Sequence, residues 1–127
     1  MRELDGPDEA PTLLLLHGWT ATADLNFYAL FPELVGRHRV VTIDHRGHGR
    51  GIRSRARFRL EDCADDAAAT LRTLGHRSVV AVGYSMGGPI AQLLWRRHPE
   101  LVEGLVLCAT SRNFAGSPMA RATFSLF

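Results

Sequence analysis

The chain has 127 residues, enough for one domain that buries roughly two-thirds of its unfolded surface. Its 46% apolar and 22% charged residues are ordinary for a globular protein, and a net charge of +2 singles out no class of partner. All fifteen strongly basic side chains are arginine and none is lysine, which reads as lineage bias rather than a functional requirement.

The first residues, MRELDGPDEA, are acidic where a signal peptide needs positive charge, and the apolar run that follows is too short for a leader or a membrane span. A cytoplasmic location is therefore expected, with no membrane partner. That run, TLLLL over 12–16, lies between Pro11 and His17-Gly18 and suits a buried strand. Residues 24–36 are interrupted by Pro32, so a loose turn and a short helix from about Pro32 to Gly36 are expected. RVVTI over 39–43 is the next strand and ends at Asp44. The loop 44–59 carries six arginines, with His45 and His48. It has one aromatic, Phe58, and no helical pattern carries its arginines, so a solvated loop beside a pocket is expected rather than a nucleic-acid surface.

Residues 60–74 place Leu60, Ala64, Ala67, Leu71 and Leu74 on one helix face, and Gly75 follows as a stop. SVVAV over 78–82 is a third strand. A helix over 87–97 tolerates Pro89 in its first turn and ends before Pro99. GLVLCA over 104–109 is the last strand. Continuous apolar runs suit parallel strands covered on both faces, and the alternation with helices implies a doubly wound α/β sheet. Cys63 and Cys108 fall in apolar patterns and are expected reduced and buried. Neither has clustered ligands beside it, so no metal site is expected.

The stretch SVVAVGYSMGGPIAQ, 78–92, sets Ser85 between Gly83 and Gly87 where a strand gives way to a helix. Such a turn exposes its central residue at the carboxyl edge of the sheet, where open α/β sheets bind ligands. Side chains at the two glycines would collide with neighbouring backbone. The serine would be strained, with the helix N-terminus behind it to stabilise an oxyanion. This is the pattern of a nucleophile elbow. HGW, 17–19, follows the first strong strand, where a backbone N–H would turn back toward the same pocket.

HGW (17–19), DHRGHG (44–49) and GYSMGG (83–88), in this order and spacing, resemble the α/β-hydrolase family, in particular its lid-bearing serine hydrolases. The resemblance implies a three-layer α/β/α fold with a mostly parallel sheet, its strands 39–43, 12–16, 78–82 and 104–109 side by side. Residues 1–110 would be the N-terminal part of the core and 111–127 the start of the lid. It implies that Ser85 is the nucleophile and that the N–H groups of Met86 and Trp19 form the oxyanion hole. His17, Gly18 and Tyr84 would border the pocket. His17, His48 and Asp44 would organise loops rather than carry protons. The implied partner is a small acyl substrate, with no cofactor. Relatives that open epoxides carry aspartate at the elbow, so serine points instead to ester, thioester, lactone, amide or carbon–carbon bond hydrolysis, or perhydrolysis.

A serine nucleophile needs a general base and an orienting acid, which follow it in this family's chain order. After Ser85 the acids are Glu100 and Glu103 and the histidine is His98, at the far end of the elbow helix; beyond Glu103 no Asp, Glu or His occurs. Relatives also have a strand pair before the first motif, of which MREL would be the remnant. The expectation is an N-terminal half of a hydrolase core, inactive alone, whose last strand is an exposed apolar edge that favours pairing with another chain. The alternative is a non-catalytic binding or assembly module that retains the fold.

Overall fold

The structure is a computed structural model, and it describes residues 1–111. Among these, five strands form one sheet: β1 (Arg2–Leu4), β2 (Leu13–Leu16), β3 (Val40–Ile43), β4 (Val79–Tyr84) and β5 (Val102–Cys108). The spatial order is β1-β3-β2-β4-β5. All neighbours run parallel except β1, which pairs antiparallel to β3 through Arg2 and Thr42 at one end and Leu4 and Val40 at the other. The four expected strands thus lie side by side in the expected order, and the MREL segment is a paired strand in its own right.

Alternate residues of these strands feed two separate clusters. Leu14, Leu16, Val41, Ile43, Val79 and Ala81 face α3 (Leu60–Thr73) and α4 (Gly87–Arg97). Leu15 and Val40, with Leu13 and Val82, face α1 (Ala23–Phe27) and α2 (Phe31–Leu34). Two covered faces explain why the strands read as unbroken apolar runs. Helix α3 buries Leu71 together with Cys63, Ala64, Ala67 and Ala68, the last four being small side chains that let α4 approach closely. It ends as its sequence suggests: Gly75 takes φ +79°, Gly75 N–H donates to Arg72 C=O, and His76 N–H donates to Leu71 C=O.

Two expectations are corrected. The segment 24–36 holds two short helices, and its first turn is ordered rather than loose. Thr22 caps α1 by accepting Leu25 N–H, and Asp44, from a distant loop, accepts Ala23 N–H at 2.8 Å. Cys63 is buried but Cys108 is exposed, because among the described residues β5 is an edge strand whose α1-side face carries no helix. The expected lid, 111–127, lies outside the described residues apart from Ser111.

Candidate active site

Ser85 follows the last residue of β4, and α4 begins two residues later. Its φ is +52°, in the left-handed region that an L-residue enters at a cost of about 1–2 kcal/mol. The two glycines show what forces this. A Cβ on Gly83 would strike the Gly87 carbonyl, and a Cβ on Gly87 would strike the Leu16 carbonyl of β2. The first turn of α4 is thus seated directly on the strand that carries HGW. Both backbone groups of Ser85 are held: its N–H donates to Cys108 C=O at 3.0 Å, and its C=O accepts from Gly88 N–H at 3.0 Å and from Thr110 Oγ1 at 2.6 Å. The side chain is half-buried, and among the described residues no hydrogen bond engages Ser85 Oγ.

Met86 N–H stands at the open N-terminus of α4, where no side chain caps the helix. Gly18 comes up against the elbow from β2. A Cβ added there would lie 3.2 Å from Ser85 Cβ and 3.4 Å from the Tyr84 ring. The topology therefore brings Gly18, Tyr84, Ser85 and Met86 to one place at the carboxyl ends of β2 and β4. The loop after β2 continues through Trp19 and Thr20, the latter at φ +55°. The Trp19 ring packs edge-on to His48 and Phe58, with centroids 5.0 and 5.1 Å away.

His17 opens this loop with its ring turned inward, and it is fully buried. Its Nδ1 bonds Gly18 C=O at 2.7 Å, and its Nε2 accepts His45 N–H at 2.9 Å. One nitrogen donates and the other accepts, which requires the neutral ring. Burial, opposed by the Gly18 bond, lowers its pKa accordingly. Asp44 is held below the usual carboxylate range although burial pushes the other way, because Arg50 and Ala23 N–H groups and the Arg50 guanidinium bind it. It ties the 44–59 loop to α1. Arg46 forms a two-pronged pair with Asp66 at 2.7 and 2.8 Å and also reaches Asp62, tying the same loop to α3. These arginines are structural fasteners.

The structure does not bring His98 to Ser85. His98 Nε2 pairs with Asp65 at 2.8 Å, and Arg97, then His98, hold the Asp65 pKa down to about 2. A cleft of about 470 Å³ also lies elsewhere, at the amino ends of the strands beside Thr12, Arg39 and Ser78. A groove of about 350 Å³ lies nearer the elbow, lined by Asn26, Phe27, Leu30, Val82, Tyr84 and Cys108. The sequence reading missed Asn26, whose Oδ1 accepts Gly18 N–H at 2.8 Å, and Thr110, which clasps Ser85. Neither belongs to a motif, and only the fold places them. His45 was noted merely as part of a loop, but it is buried with both ring nitrogens unpaired among the described residues.

Residues 11–125 match the α/β hydrolase fold family. The chain is 38% identical over 106 residues to the sn-1-specific diacylglycerol lipase ABHD11 of Mus musculus, covering 82% of this chain and 34% of that one. It is 35% identical to the bifunctional esterase/perhydrolase DCH of Acinetobacter calcoaceticus, covering 75% of this chain and 34% of that one. Among solved structures, Est816, described as an N-acyl homoserine lactone degrading enzyme, superposes with a TM-score of 0.83 at 28% identity, covering 98% of this chain and 47% of that one. The chain thus spans about a third of the length of these two curated relatives. Elbow geometry, strand order and sequence match agree: this chain belongs to the α/β hydrolase fold family.

Proposed function

We propose that the chain carries the nucleophile and oxyanion hole of a serine hydrolase acting on a small acyl substrate, an ester, thioester, lactone or amide. The observation that carries this reading is Ser85 at φ +52° on a strand-to-helix turn between two glycines that admit no side chain. Ser85 Oγ attacks the acyl carbon while a base takes its proton. The N–H groups of Met86 and Trp19 stabilise the oxyanion. Collapse expels the alcohol, thiol or amine, which takes the proton back from the base, and water then releases the acid from Ser85 by the same route. The reading uses no cofactor.

We place the base outside the described residues. His17 has both nitrogens engaged and His98 is paired with Asp65. On this proposal the base and acid are supplied from outside these residues, and the 127-residue chain alone is expected to be inactive. The same placement of the histidines favours the second reading, a non-catalytic binding or assembly module. No helix among the described residues is long and apolar enough to cross a membrane; a cytoplasmic site of action and a partner set without nucleic acid are part of the proposal.

The test is labelling of the protein as expressed from its gene with a fluorophosphonate, alongside hydrolysis of p-nitrophenyl butyrate. Ser85→Ala is expected to abolish the label and to lower kcat by about 10⁴-fold or more. Full turnover by Ser85→Ala would refute the nucleophile. An unlabelled and inactive wild-type protein would favour the binding module.

A further inference from the structure

We propose that Asn26 is a positioning residue that holds the 17–19 loop against Ser85 through the Gly18 amide. This inference rests on Ser85 as the nucleophile. Asn26 Oδ1 accepts Gly18 N–H at 2.8 Å. An N–H donor needs oxygen as its acceptor, so this contact fixes which way round the carboxamide lies.

Gly18 is the residue through which the loop meets the elbow. An added Cβ would lie 3.2 Å from Ser85 Cβ and 3.5 Å from Asn26 Oδ1, so the glycine backbone fills the space between them. Its other polar group is also held, since Gly18 C=O accepts from His17 Nδ1 at 2.7 Å. In a trans peptide the C=O of Gly18 and the N–H of Trp19 point in opposite directions. Drawing that carbonyl down to the buried His17 turns the Trp19 N–H away from it. His17 sets this direction, and Asn26 sets how far the loop advances toward Ser85.

Asn26 is itself placed with care. It lies on α1, five residues long, which Thr22 caps at one end and Asp44 binds through Ala23 N–H. Asparagine is a poor choice for the interior of so short a helix unless its side chain is needed elsewhere. The contact runs eight residues back along the chain to a buried glycine amide. Without Oδ1 that amide is an unsatisfied buried donor, and the loop must move to find another acceptor.

The experiment compares Asn26→Leu, similar in shape but without the acceptor, and Asn26→Asp, which keeps it, in the protein as expressed from its gene. Ser85→Ala runs beside them, with p-nitrophenyl butyrate as substrate. Asn26→Leu is expected to lower kcat about 10- to 100-fold, less than the outright loss of an oxyanion donor, while leaving KM near the parent value. Asn26→Asp is expected to restore most of kcat. A wild-type kcat in Asn26→Leu, with Ser85→Ala inactive, overturns the role of Asn26 and leaves the nucleophile standing. Equal loss in both Asn26 variants, tracking a fall in melting temperature, also overturns it, as a purely structural residue. Turnover by Ser85→Ala, or none by the wild type, removes the reading on which it rests. Should Asn26→Leu not fold, Asn26→Gln replaces it: one methylene misplaces the same amide, and an unchanged kcat there overturns the proposal.

Discussion

His17 and His45 lie ring against ring, with centroids 4.3 Å apart, and His48 packs edge-on to His17 at 5.3 Å. Burial, reinforced by His17 and His48, lowers the His45 pKa from 6.5 to about 3. His17 shifts in the same direction. The folded state therefore refuses protons that the unfolded chain accepts. As pH falls below the ordinary histidine value, stability falls with it, by up to about 1.4 kcal/mol per pH unit for each proton of difference. His45→Phe removes one such proton and places an aromatic ring beside a cavity of about 150 Å³ lined by Ile43, His45 and Cys63. Thermal melts from pH 7 to 4.5 are expected to show a shallower acid decline for this variant than for the parent. An identical slope would mean that His45 does not resist protonation.

The elements were readable in the sequence wherever a local pattern decided them. Strands of four to seven residues with unbroken apolar runs lie where VVTI and LLLL stand, and α3 ends at Gly75. α1 was not readable, because its order comes from Asp44, twenty-one residues away, and no periodicity announces that bond. Cys108 misled for a related reason: an apolar run on an edge strand resembles one in the middle of a sheet. Within the site, Ser85 and its glycines are legible because turn geometry dictates residue type. Asn26 and Thr110 are not, because a side chain that binds a remote backbone group leaves no spacing to read. The seating of α4 on β2 makes a sharp test of the turn. Gly87→Ala pushes a methyl into the Leu16 carbonyl. It is expected to destabilise by about 1–3 kcal/mol in denaturant melts, or to prevent folding. A fully stable Gly87→Ala protein would show that α4 does not bear on β2 as described.

Among the described residues the sheet is covered on one side and open on the other. α1 and α2 cover β2 and β3, but the same face of β4 and β5 shows Tyr84, 42% exposed, and Val106, 44% exposed. Between Gly104 and Cys108 the edge strand carries no charge or proline, the usual guards against strand addition. The 127-residue chain is expected to self-associate through this edge, and Val106→Lys to reduce the association, as read by sedimentation velocity. A monomeric parent chain at tens of micromolar would overturn this.

The open strand is also the outer brace of the elbow, since Ser85 N–H rests on Cys108 C=O and Thr110 grips the Ser85 carbonyl. Fraying at this margin would release the strained turn from both supports at once. Whatever settles along β5 would stiffen Ser85 without touching it, so the reactivity of the serine becomes a gauge of how well its neighbouring strand is sheltered.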